Sequence, residues 1–285
     1  MVLVASRLSL ALLEAKLREH RIRLRSCEAK DVERVPLLPF EVEFLAVTHS
    51  IPDAMAVGIR VGNHLVLHTD DLTMDQLPMD GRLTDLRGLA RLGAEGMDLA
   101  LVDSTNAEVP GFVTSERDIR PVLDRVFAGA ERRIVVACVA SHVHGVQQVL
   151  ALAHRRGRRV AFMGRSMVRN MGVARDLGYL NLPSGLLVDV KALDNLPDRK
   201  VVLVCTGSQE EPLAALTRIV KCDHMFRVGE GDTRRACQQL DPRKRERGLP
   251  GHQRAHPLGG GGGAQGQFPG ARFWPCRRRG ITFSL

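Results

Sequence analysis

The chain has 285 residues, 44% of them hydrophobic, enough to bury one large core or two ordinary ones. Aromatic residues make up 4%, with one Trp and one Tyr, which argues against a binding surface built from stacked rings. Residues 227–285 carry twelve Lys or Arg against four Asp or Glu, so +8 of the net charge of +9 belongs to this tail. The remaining 29 basic and 28 acidic groups exclude a basic nucleic-acid binder along the whole chain.

The six cysteines are scattered and form no CxxC, so neither a disulfide framework nor a cysteine zinc knuckle is expected, and reducing cytosol suits them. No run approaches the roughly 18 apolar residues of a membrane helix. The opening MVLVASRLSLALLEAKLREH resembles a signal peptide only superficially. No basic segment precedes its apolar stretch, and Arg7, Glu14 and Lys16 interrupt or follow it. Leu8, Leu12, Ala15 and Leu17 keep a 3.6-residue period and predict an amphipathic helix.

A mixed segment over 22–39 follows, and then strands begin. VEFLAV (42–47), MAVGIRV (55–61) and HLVLHT (64–69) are apolar and β-branched, with VGNH (61–64) as a hairpin turn between the last two. Residues 83–92 read as helix, and MDLALV (97–102) as a strand that delivers Asp103 at its end. Thr114-Ser115-Glu116 opens a helix through Ile119, Val122, Leu123, Val126 and Phe127. Beyond 130, strand-like RIVVACV (133–139), VAFM (160–163) and KVVLVC (200–205) alternate with helix-like 145–154, a helix ending at Gly178, and 213–220. Such alternation predicts a parallel sheet with helices on both faces, whose ligands gather beyond the carboxyl ends of the strands. Ser141, Arg165 and Ser208 would lie there.

From about Arg227 apolar periodicity ceases. RKRER, RRR and five consecutive glycines replace it, which reads as a disordered basic tail or as out-of-frame translation of GC-rich DNA.

Thr48-His49-Ser50-Ile51-Pro52-Asp53-Ala54 and His68-Thr69-Asp70-Asp71 each follow a strand, so His49 and Asp71 are candidates to converge on one metal ion. The alternatives are plain. His49 suits a loop or core histidine, and Asp103 suits a cap near Asn106. His64 and His68 suit exposed strand positions, and His142 and His144 share one strand face at i, i+2.

Taken in order, these two segments, Asp103-Ser104-Thr105-Asn106-Ala107, Ala140-Ser141-His142-Val143-His144, Gly164-Arg165-Ser166-Met167 and Thr206-Gly207-Ser208-Gln209 resemble ribonuclease J over residues 6–228. That family comprises β-CASP nucleases of the metallo-β-lactamase fold. The resemblance implies an α/β fold in three parts. Residues 1–118 would be a partial metallo-β-lactamase αββα domain, 119–226 a partial β-CASP domain with a parallel sheet, and 227–285 the tail. It implies a cytoplasmic, zinc-dependent RNA phosphodiesterase with 5′-to-3′ exonuclease and endonuclease action, assembled as a homo-oligomer. His49 would be a zinc ligand and Asp71 the bridge between two zinc ions. Asp103 and His144 would be the acid and the histidine of the first two β-CASP motifs. Ser104, Ser141, Arg165, Ser166 and Ser208 would contact RNA phosphate.

The departures are specific. The HxHxDH segment that supplies most zinc ligands and the later HVSGHA-like motif have no counterpart, so an incomplete, inactive fragment, truncated and frameshifted, is expected. Asp70 stands where the family has glycine, predicting a strained turn. His142 replaces Asn, and Glu210 replaces Gly.

Overall fold

The computed structural model describes residues 2–23, 25–105, 107–108, 110–111, 115–206 and 233–236. The first apolar residues form a strand, β1 (Val2–Ala5), rather than the start of the helix. Strand β1 pairs in parallel with β2 (Arg25–Glu28), and α1 (Arg7–Glu19) lies between them. Leu8 of α1 is fully buried, while most of the helix's charged side chains face solvent.

The 22–39 segment also holds β3 (Arg34–Leu37). It begins a five-stranded sheet with β4 (Phe40–Ala46), β5 (Met55–Val61), β6 (His64–His68) and β7 (Leu99–Leu101), in that order. All pairings are antiparallel except β6 with β7. The predicted hairpin is present: Val61 pairs with His64, and Gly62 takes the left-handed φ of 56° that the tight turn requires. Helix α2 (Leu86–Glu95) is set by Asp85, which accepts from the Gly88 N–H at 2.9 Å. Alternation along the strands sends Leu45, Leu65 and Leu67 toward Leu92 of α2, and Val42 and Phe44 to the opposite face.

The second sheet is wholly parallel. It contains β8 (Ile134–Ala137), β9 (Arg159–Met163), β10 (Val201–Cys205) and β11 (Thr233–Ala236), in the order β11-β8-β10-β9. Ile134, Val136, Val202 and Val204 enter one core with α3 (Ile119–Gly129), α4 (Val143–Arg155) and α5 (Arg165–Asp176). Their neighbours Val135, Ala137, Leu203 and Cys205 enter another with Leu193. Both faces are therefore covered, which explains the unbroken apolar runs. The α/β class with a parallel sheet is as expected. The helix expected over 213–220 lies outside the described residues, as does most of the tail.

Two expectations need correcting. His142 and His144 do not share a strand face: β8 ends at Ala137, His142 caps α4, and His144 lies in its first turn. The expectation of an unstructured tail from 227 also fails for Thr233–Ala236, which pairs with β8. Without β11 the outer side of β8 would present unpaired N–H and C=O groups, which the added strand satisfies.

Ile51 and Leu8 pack into the core of the parallel sheet, and the Ser50 carbonyl accepts from the His144 N–H at 3.4 Å. These contacts bring the β4–β5 connection against α4. Among the described residues, no helix is long and apolar enough to cross a membrane.

Candidate functional site

A cleft of about 200 Å³ opens where these parts meet, lined by the β4–β5 connection, the 73–82 loop, the turn before α3 and the start of α4. His49, His142 and His144 face it, along with Asp53, Asp75, Asp80 and Glu116.

The walls are held by the main chain. Thr48 pairs with Thr73, whose N–H donates to the Thr48 carbonyl at 2.8 Å. The Thr48 N–H donates to Thr84 Oγ1 at 3.0 Å. Arg82 donates to the Ala54 carbonyl at 2.7 Å and pairs with Asp31 at 2.5 Å, tying the 73–82 loop to the β4–β5 connection. Asp53 holds a left-handed φ of 60° and accepts a short hydrogen bond from the Tyr179 hydroxyl, which comes from beyond α5. Burial and the Asp53 carboxylate together push the Tyr179 hydroxyl well above its ordinary pKa.

Each carboxylate in the cleft has donors. Asp75 is buried and accepts from the Leu77 N–H at 2.8 Å, the Glu116 N–H at 3.0 Å and Ser115 Oγ at 3.1 Å. Glu116 Oε1 lies 2.5 Å from His142 Nε2, and Asp80 Oδ2 lies 3.5 Å from His144 Nε2. Burial pushes the Asp80 carboxyl up. The His144 ring and the Arg82 N–H outweigh that and hold it below the usual carboxylate range.

Of the residues expected at the site, His49 and His144 line the cleft. Asp103 lies beside it: its carboxylate accepts from the Thr105 N–H at 2.8 Å and the Leu72 N–H at 3.2 Å. These donors, the Thr105 hydroxyl and the nearby His49 hold its pKa below the ordinary value. Asp71 is exposed in the bend before Leu72, so the Leu72 N–H bond and the Thr48–Thr73 pairing hold its backbone close to this rim. Ser104 occupies an exposed turn after Asp103. Ser141 precedes His142, while Arg165 and Ser166 open α5 after β9. The last three share the carboxyl edge of the parallel sheet but do not line the cleft. Ser208 lies outside the described residues.

The donor set suits a metal in kind. His49 Nδ1 is buried without a hydrogen-bond partner, and imidazole nitrogen with carboxylate oxygen is a zinc-type combination. It does not suit one in number: among the described residues, no group of three or more His, Cys, Asp or Glu is placed to hold an ion. The expected convergence of His49 and Asp71 is thus a pair at most.

The reading from motifs did not identify Asp75, Asp80, Arg82, Glu116 or Tyr179. The only available signal was the density of carboxylates around Pro78 and Gly81 in LTMDQLPMDGR.

Comparison with known proteins matches residues 131–235 to the family "Ribonuclease J, beta-CASP domain". The chain is a ribonuclease J relative. It is 49% identical over 221 residues to Ribonuclease J of Mycolicibacterium smegmatis, covering 78% of this chain and 40% of that protein. It is 44% identical over 231 residues to Ribonuclease J of Corynebacterium glutamicum, covering 81% and 32%. The chain thus spans about two fifths or less of the length of these ribonuclease J relatives. A crystal structure of a protein of unknown function from Enterococcus faecalis V583 shares the fold. It is 14% identical, has a TM-score of 0.55, and the likeness covers 83% of this chain and 64% of that one.

Proposed function

We propose that the cleft is part of a zinc-dependent RNA phosphodiesterase site of the ribonuclease J type, carried incompletely by this chain. One observation carries the reading: His49 and His144, from motifs about 95 residues apart, face one cleft with Asp103 beside it. Kinship with ribonuclease J extends the proposal to 5′-to-3′ exonuclease and endonuclease action in RNA processing and decay, in a cytoplasmic homo-oligomer.

In this reading Ser104, Ser141, Arg165, Ser166 and Ser208 hold RNA phosphate through hydroxyl and guanidinium donors. Asp103, kept ionised by its N–H donors, fixes the rim beside His49, and His144 exchanges a proton with a phosphate or leaving oxygen. His49 and Asp71 stand at the positions of zinc ligands. Two ligands fall short of the three protein ligands of a catalytic zinc.

The isolated chain is therefore expected to retain well under one zinc per molecule and to leave a 5′-monophosphorylated RNA intact. Metal analysis and a degradation assay check this. Stoichiometric zinc with turnover abolished by Asp71→Ala would overturn it.

The charge distribution favours a second reading. The +8 balance of residues 227–285 would make this a non-catalytic RNA- or partner-binding protein whose tail supplies the affinity. RNA binding should then fall steeply with salt and be lost on truncation after Val228. Unchanged binding by the truncated chain rules this reading out.

A further inference from the structure

Asp80 and Glu116 lie outside the segments that carry the ribonuclease J resemblance, yet each faces one histidine of the cleft. An ionised carboxylate can only accept a hydrogen bond, so the ring nitrogen turned toward it must carry the proton. In both pairs the nearest ring nitrogen is Nε2: His142 is hydrogen-bonded to Glu116 at 2.5 Å, and His144 makes a looser ion-pair contact with Asp80 at 3.5 Å. An unpartnered imidazole would flip or exchange tautomers.

The supports behind the carboxylates are independent of them. The main chain of Glu116 is moored at both ends, its N–H to Asp75 Oδ2 and its carbonyl to Gln148 Nε2, each at 3.0 Å. His142 is held on its other side by the absence of a side chain at Gly145. A Cβ there would fall 2.7 to 2.9 Å from three atoms of the His142 ring. His144 is buried at the start of α4, and its N–H donates to the Ser50 carbonyl at 3.4 Å. Asp80 accepts from the Arg82 N–H at 3.0 Å, in a loop that Arg82 ties down.

We propose that Asp80 and Glu116 are positioning residues that engage Nε2–H of His144 and His142 and so fix both rings in the cleft, leaving Nδ1 as the atom through which each ring, once protonated, donates to a phosphate. The phosphate clause rests on the RNA-site reading above, whereas the ring states do not. Neither carboxylate touches the reacting atoms. Each acts through its histidine by removing the orientational freedom that binding would otherwise have to freeze out.

Ring ¹⁵N spectra of the full chain, labelled at histidine and recorded above the ordinary imidazole pKa of about 6.5, test the assignment. Both rings are expected as Nε2–H. Glu116→Ala should change the His142 signals alone, and Asp80→Ala the His144 signals alone. Each should weaken binding of a 5′-monophosphorylated oligoribonucleotide about fivefold, the scale of one lost hydrogen bond. Gly145→Ala should displace the His142 ring with Glu116 intact and weaken binding similarly. Asp80→Asn, which keeps an acceptor for the Arg82 N–H, replaces Asp80→Ala if that variant does not fold.

Wild-type rings in the Nδ1–H form, unchanged signals in the variants, or changed signals with unchanged RNA affinity overturn the proposal. Failure of the wild-type chain to bind RNA overturns the functional reading instead, and the ring signals then decide the positioning role alone.

Discussion

Asp70 adopts a φ of 57°, the left-handed region that a Cβ disfavours. The contacts that fix this turn use its main chain: its N–H donates to His68 Nδ1 at 3.1 Å, and its carbonyl accepts from Thr69 Oγ1 at 2.9 Å. Asp70→Gly keeps both and removes the strain, so it should stabilise the chain by about 0.5–1 kcal/mol in urea unfolding. The strain was legible in the sequence because aspartate occupies a glycine position of a recognisable turn. The Thr105 N–H, two residues on, is a local donor of the kind a cap at Asp103 implies, whereas Leu72 and His49 were not legible, since they reach Asp103 only after β6 and β7 are paired. All three depress its pKa, so their stabilisation is present above the ordinary carboxylate value of about 3.9 and is lost as pH falls through the lower folded value. The stability gap between the wild type and Asp103→Asn should therefore be constant near neutrality and close only in acid, as measured by urea unfolding across pH.

At the level of elements, β4 breaks the pattern that its sequence suggests. VEFLAV reads as an apolar strand, yet Glu43 in its middle is 1% exposed. The cause is distributed: Arg60 of β5 reaches Glu43 at 2.9 Å, Arg34 of β3 at 3.3 Å, and Arg91 of α2 makes a shorter contact. Glu95 pairs with Arg60 at 2.6 Å and with Arg91 at 2.7 Å and completes the network between the sheet and α2. Removing Glu43 leaves three guanidinium groups with only the more exposed Glu95 and Glu41 as partners. Glu43→Ala should cost about 3 kcal/mol in denaturant unfolding, the scale of breaking a buried ion pair by deleting one partner. Periodicity could place β4 but not its charge, because the neutralising arginines belong to three other elements.

For the whole molecule, the cleft exists only because the β4–β5 connection is seated against the parallel-sheet layer. Ile51 supplies apolar contact, the Ser50 carbonyl meets the start of α4, and Tyr179 donates to Asp53. Tyr179→Phe deletes one hydrogen bond to a charged acceptor, worth about 1.5 kcal/mol. Amide exchange in residues 49–54 should speed up roughly tenfold, with β8 and β10 unchanged. Equal acceleration throughout would show that Tyr179 supports global stability rather than this junction.

Sequence alone determined the alternation of strands and helices, the parallel sheet beyond residue 130 and the order of the motifs. All three are written locally, in apolar period and in short runs of specific residues. Tertiary structure decided the rest. It moved His142 and His144 from a strand to the start of a helix, added Thr233–Ala236 to the sheet and supplied Asp80 and Glu116 as partners to the two histidines. The reason is that a carboxylate's partner is set by which loops pack together, and residues 26 and 64 positions apart in sequence carry no local trace of that contact.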